Sequence, residues 1–125
     1  MRALVVIVCL LWATVVQAEL PSGNEASIKA ALASGRPTLV DFGARSCIPC
    51  KKMAPILEQL EMEYRGRANV IFIDVWQDNK AGRPYRVQMI PTQIFFDATG
   101  KEASRHIGFL DRQPIVDTFK KLGVK

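Results

Sequence analysis

Two continuous apolar runs with a helix-period stretch between them constrain this chain more than any other feature. Residues 37–43 read Pro-Thr-Leu-Val-Asp-Phe-Gly, and residues 69–76 read Asn-Val-Ile-Phe-Ile-Asp-Val-Trp. Runs this apolar and this rich in strand formers suit strands covered on both faces. Between them Met53, Ile56, Leu57, Leu60 and Tyr64 recur at the period of a helix with one buried face, which predicts a helix over residues 47–64 that Pro55 should kink. Strands joined through a helix pair in parallel, so an α/β domain is expected. Asp41 is the exception in the first run, because a carboxylate in a buried strand is costly unless something satisfies it.

The remaining segments complete the order. Ser22-Gly23-Asn24-Glu25 has the spacing of a capping box, and Ile28, Ala31 and Leu32 follow at helical spacing up to Gly35. Residues 78–87 are polar, carry Gly82 and Pro84, and predict no more than a short, poorly formed helix. Thr92 to Phe96 and Glu102 to Ile107 flank Asp97-Ala98-Thr99-Gly100 and read as a hairpin, an antiparallel addition at the sheet edge. Asp111 can cap a last helix in which Ile115, Val116, Phe119 and Leu122 face the core and Gly123 marks the end. The result is a mixed central sheet with helices on both faces, and Trp76 is expected to pack in its core.

The 125 residues are enough for one domain. After Met1 and Arg2, residues 3–16 are apolar with Thr14 the most polar among them, and Val16-Gln17-Ala18 precedes Glu19. A charged start, an apolar middle and a small-residue end describe a secretory signal peptide over residues 1–18, leaving residues 19–125 as the domain. As a helix the apolar part would reach roughly 21 Å, short of the roughly 30 Å hydrocarbon core. Export to the periplasm is therefore expected, with secretion or an uncleaved N-terminal membrane anchor as alternatives. Cys9 leaves with the signal, and Cys47 and Cys50 remain in a compartment that permits thiol–disulfide chemistry. The formal charge of +5 is scattered along the chain, so no nucleic-acid partner is expected. The single histidine, His106, rules out chemistry built on several imidazoles and is expected on a hairpin face without a catalytic duty.

Cys47-Ile48-Pro49-Cys50 stands where the first run gives way to the long helix. Unpaired N–H groups and the helix dipole favour negative charge at that end, and the thiolate is the form that attacks disulfides. Cys47 is thus the candidate nucleophile. Cys50, one turn later, can attack the mixed disulfide that Cys47 forms and release the partner. Pro49 suits a first helical turn, where a missing N–H costs nothing, and Ile48 adds apolar surface beside the nucleophile. Arg45, Lys51 and Lys52 bring positive charge, although the two lysines equally describe a solvated helix face. Zinc is not expected, since His106 is the only further ligand of the usual kind, and the His that covalent haem needs after Cys50 is Lys51. No metal and no cofactor are called for. An inert structural disulfide stays open as the bland alternative.

Residues 40–57, Val-Asp-Phe-Gly-Ala-Arg-Ser-Cys-Ile-Pro-Cys-Lys-Lys-Met-Ala-Pro-Ile-Leu, resemble the active-site segment of the thioredoxin family, and Ile90-Pro91-Thr92 resembles its proline loop. Spacing and order match over nearly all of residues 19–125. The resemblance implies a thioredoxin-like three-layer α/β fold and a protein-disulfide oxidoreductase acting on protein thiols and disulfides. It implies a cis bond between Ile90 and Pro91, with Ile90, Pro91, Thr92, Ile48 and Pro49 docking the partner by strand addition. It also implies that Asp41 accepts the proton of Cys50. Three departures stand out. Ser46 and Gly43 occupy positions where the family commonly has tryptophan, which is expected to open the surface around Cys47, and the family's lysine near the buried carboxylate falls, in an ungapped reading, near Phe72. The opening strand is expected to be short or absent.

Two functional readings follow. The first is an exported, monomeric thiol–disulfide oxidoreductase, a reductant or electron relay because proline before the second cysteine, together with Asp41, resembles the reducing thioredoxins. It would be recharged by a membrane-bound electron donor, with apocytochrome c maturation or repair of mispaired disulfides as uses. The second is a redox-inert peptide-binding module of the same fold in which Cys47 and Cys50 form a structural disulfide.

Overall fold

The computed structural model describes residues 19–125; the expected signal peptide and Cys9 lie outside the described residues. The chain folds as α1 (Glu25–Leu32), β1 (Thr38–Gly43), α2 (Ile48–Tyr64), β2 (Asn69–Asp74), a 3-10 turn (Arg83–Tyr85), β3 (Thr92–Phe96), β4 (Glu102–Ile107) and α3 (Arg112–Lys121). One sheet runs in the order β2-β1-β3-β4. β1 pairs with β2 in parallel and with β3 antiparallel, and β3 pairs with β4 antiparallel.

The hairpin is therefore not merely an edge addition, because its first strand lies against β1 in the middle of the sheet. The topology also explains the weak helix before it. Gly43 pairs with Asp74 and Phe42 with Thr92, so β2 stops at the end of the sheet where β3 begins. The connection does not have to travel the length of a strand, and a single 3-10 turn suffices.

Two apolar layers cover the sheet. On one face Leu39, Val70, Phe72 and Phe95 pack with Met53, Leu57 and Leu60 of α2 and Ile115 and Phe119 of α3. On the other, Val40, Phe42, Ile73, Ile94 and Phe96 pack with Ile28 of α1 and Ala81 from the turn segment. The alternation of Leu39 and Val40 between the layers is the period of two expected of a strand buried on both faces. α2 continues through Pro55 without interruption.

Two local expectations are corrected. The box that starts α1 is built by Asn24 and Ser27, with Ser27 N–H donating to Asn24 Oδ1 at 2.9 Å and Asn24 N–H to Ser27 Oγ at 2.8 Å. Ser22 is engaged elsewhere. It forms a single parallel bridge with Phe72, Gly23 N–H donates to the Phe72 carbonyl at 2.8 Å, and Asp74 N–H donates to Ser22 Oγ at 2.9 Å. The short opening strand is thus one bridge on the outer edge of β2. Trp76, expected in the core, is 63% exposed, because β2 ends at Asp74 and the chain turns outward there.

The hairpin turn touches α1. Gly100 has φ +84°, and a Cβ there would stand 2.8 Å from the Leu32 carbonyl oxygen. Gly100→Ala should lower the free energy of unfolding by about 2 kcal/mol, the left-handed backbone alone costing about 1–2. Urea denaturation of the two proteins measures it, and an unchanged midpoint would show that the turn is free of α1.

Candidate active site

The site sits at the end of the sheet where β1 and β2 finish and β3 begins. After Gly43 the chain turns through residues 44–46, with Cys47 N–H donating to the Ala44 carbonyl at 3.3 Å, and Lys51 N–H to the Cys47 carbonyl at 2.9 Å begins the bonding of α2. Cys47 is the N-cap, with extended backbone. Its sulfur is therefore carried at the positive end of a helix whose first turn holds no acidic residue. Pro49 occupies the first turn, where it removes no needed donor.

Cys47 and Cys50 are joined as a disulfide, with their Cα atoms 5.1 Å apart. Their exposure differs. Cys47 is half-buried, whereas Cys50 is 4% exposed. A Cβ at Gly43 would meet Cys50 Cβ and Sγ and the Phe72 ring at 3.3 Å. The expected opening of the surface at Gly43 does not occur, because Cys50 and Phe72 close over that position. Ser46 and Ile48 are exposed, as is Pro49, so the apolar surface beside the nucleophile faces outward.

Asp41 lies on the same face of β1 as Leu39 and Gly43, the face that α2 and Cys50 cover. It is fully buried. Its neighbours in register are Phe72 on β2 and Gln93 on β3. Gln93 Nε2–H donates to Asp41 Oδ1 at 2.9 Å, while Asp41 Oδ2 has no hydrogen-bond partner among the described residues. Burial pushes the Asp41 carboxyl up to about 7, with the Gln93 hydrogen bond pulling the other way. Phe72, its register neighbour on β2, brings no charge to it.

The Ile90–Pro91 peptide bond is cis. Pro91 and Thr92 are buried and Ile90 is half-buried. Thr92 Oγ1 donates to the Met89 carbonyl at 2.6 Å, and Gly108 N–H to the Pro91 carbonyl at 2.8 Å. Ile90 makes no backbone hydrogen bond among the described residues. The pairing of Thr92 with Phe42 brings this loop to the end of β1 that leads into Cys47.

Arg45 works as a tether. Its guanidinium lies 4.5 Å from the Phe72 ring centroid, pairs with Glu19 at 3.0 Å and donates to the Leu20 carbonyl. Its backbone N–H donates to Asp74 Oδ2 at 3.2 Å. Lys51 and Lys52 are exposed on α2, and His106 is exposed on β4. The sequence reading missed Gln93, although a polar residue inside the apolar run 92–96 is the same kind of signal that Asp41 gave. It also missed Met89, Ile107 and Phe109, which with Ile48 and Trp76 are large exposed apolar side chains on segments at this end of the sheet.

A family model described as Thioredoxin matches residues 21–121. Thioredoxins of Staphylococcus aureus strains Mu50, MW2 and N315 are each 36% identical to the chain over 83 residues, 66% of this chain and 79% of theirs.

The buried carboxyl carries a pH signature. A group whose pKa rises from 3.8 to about 7 on folding binds more protons folded than unfolded between those values, so its contribution to stability is lost as pH climbs through that interval. The loss is on the order of 4 kcal/mol. Asp41→Asn should remove this slope from urea-denaturation stabilities of the oxidised protein between pH 4 and pH 8 and should be the more stable protein at pH 8. Parallel pH profiles for the two proteins would refute the assignment.

Proposed function

Since this chain belongs to the thioredoxin family, we propose that its thiol–disulfide oxidoreductase activity runs in the reducing direction, as a reductant or electron relay for protein disulfides outside the cytoplasm. The observation that carries the reading is the asymmetry of the pair, with Cys47 reachable at a helix N-terminus and Cys50 covered behind it.

In the reduced protein the Cys47 thiolate attacks one sulfur of a partner disulfide, and the partner's other sulfur leaves as a thiolate that takes up a proton. Cys50 then gives its proton to Asp41 and attacks Cys47 Sγ. The Cys47–Cys50 bond forms, the mixed disulfide breaks, and the partner's second sulfur departs and is protonated. Two electrons have passed to the partner, and the closed pair described above is the end of that half-reaction. The free backbone of Ile90 is suited to take an extended partner segment in strand-addition fashion, with Pro91 and Thr92 shaping the loop and Ile48 and Pro49 adding contact. A further turnover needs a dithiol donor, for which a membrane-bound protein is the natural source in an oxidising compartment. Apocytochrome c maturation is one use that fits such a relay, and the protein is read as a monomer cleaved after Ala18.

In insulin reduction with dithiothreitol, Cys47→Ser should fall to the uncatalysed rate and Cys50→Ser should accumulate mixed disulfides; wild-type turnover by Cys47→Ser would end the mechanism. Equilibration of the Cys47–Cys50 couple with dithiothreitol should place it nearer the roughly −270 mV of reducing thioredoxins than the roughly −120 mV of a strong oxidant. A value at the oxidising end would reverse the proposed direction. The N-terminus of protein recovered from the periplasm should read Glu19-Leu20.

A further inference from the structure

Two fully buried polar side chains meet across β1 and β3, and neither is complete. Asp41 and Gln93 are Cα partners in the antiparallel register, and both are 0% exposed. The bond from Gln93 Nε2–H to Asp41 Oδ1 leaves Asp41 Oδ2 and Gln93 Oε1 buried without partners among the described residues. A carboxylate oxygen and an amide carbonyl are both acceptors and cannot satisfy one another. A protonated carboxyl carries an O–H donor, so a single proton on Asp41 supplies what both unfilled atoms lack.

We propose that Asp41 and Gln93 form an acid–amide pair that stores the proton released by Cys50, with Gln93 as a positioning residue: its Nε2–H fixes Oδ1, and its Oε1 accepts the O–H that forms on Oδ2. The inference rests on the reading in which Asp41 is the proton acceptor. In that step the Cys50 S–H bond breaks, an O–H bond forms on Asp41, and the electron pair stays on sulfur to make the bond to Cys47. Proton uptake thereby turns two orphaned acceptors into one hydrogen bond, which favours the neutral acid in addition to the effect of burial.

The surroundings leave this task to Gln93. Phe72 on β2, Phe95 on β3, Met53 and Leu57 on α2 and Ile115 on α3 are apolar. The buried titratable groups on the elements around the pair are Cys50, Glu58 and Tyr64 of α2 and Asp74 at the end of β2; His106, opposite Gln93 on β4, is exposed with its Nε2 at 3.0 Å from the Phe109 carbonyl, and Lys51 and Lys52 of α2 are exposed. Asp74 is occupied by the backbone N–H groups of Arg45, Trp76 and Gln77, and Arg45 turns its guanidinium to Glu19 and Leu20. Gln93 is the hydrogen-bond donor that reaches Asp41 among the described residues.

Infrared difference spectra of the reduced protein, recorded as pH is lowered through neutrality, test the pair in wild type, Gln93→Leu and Asp41→Asn. The wild type should gain a protonated-carboxyl C=O band that Asp41→Asn lacks, and Gln93→Leu should move that band to higher wavenumber because the O–H has lost its acceptor. Stopped-flow release of a partner thiol from the Cys47 mixed disulfide at pH 7 should slow about tenfold in Gln93→Leu, the effect of one pKa unit, with KM for the partner unchanged. Asp41→Asn at the wild-type rate overturns the acceptor reading and this inference with it. A slowed Asp41→Asn beside a Gln93→Leu band at the wild-type frequency overturns the inference alone. If Gln93→Leu does not fold, the wild type still decides: the Gln93 side-chain amide resonances must follow the Asp41 titration in NMR spectra, and resonances that stay fixed refute the pair.

Discussion

The covering of β1 on both faces and its pairing along both edges place every group of the site. All six of its residues are buried, β2 and β3 flank it, and Gly43 at its end leads directly into the Cys47 turn. A one-residue slip in such a strand would exchange the faces, sending Asp41 toward α1 and Phe42 toward Cys50. The two apolar layers prevent this, since Val40 and Phe42 fill one and Leu39 the other. Chemistry at the cysteines is in this sense a by-product of core packing.

The cysteine pair gains its asymmetry from the same arrangement. Both sulfurs belong to one turn of α2, yet only the first is held at the helix terminus and half open to solvent, while the second packs against Gly43 and Phe72. Cys47 is therefore the sulfur that solvent reaches, and Cys50 is the one that the core encloses. Burial that protects Cys50 also removes water from the carboxyl on the same face of the sheet, which is why Asp41 holds its proton to about neutral pH.

Much of this was legible in the sequence where a single physical signal dominated. The runs that became β1 and β2, the helical period of α2, the hairpin and the Asp111 cap all coincide with the observed elements to within a residue or two. Legibility failed where two local solutions competed. Ser22 and Asn24 both suit a cap, and the pairing of Ser22 with β2 decided for Asn24. Trp76 continues an apolar run, but nothing in the run says that pairing ends two residues earlier. Gly43 reads as lost bulk, and only the fold reveals that Cys50 and Phe72 take the space. Within the site, the cysteines and the cis proline were readable from spacing and resemblance, whereas Gln93 acquires meaning only through the register that sets it opposite Asp41.

The Arg45 tether joins the first described residues to the wall behind Cys50. Glu19 and the Leu20 carbonyl hold a guanidinium that itself roofs the Phe72 ring, and the narrow crevice they enclose is bounded by Cys50 and Leu57. Loss of residues 19–20 would strip both anchors at once and leave an aromatic ring next to the Cys50 sulfur open to solvent. Residues 19 and 20 are thus part of the wall of the cysteine pair, although they stand 27 and more positions from it in the chain.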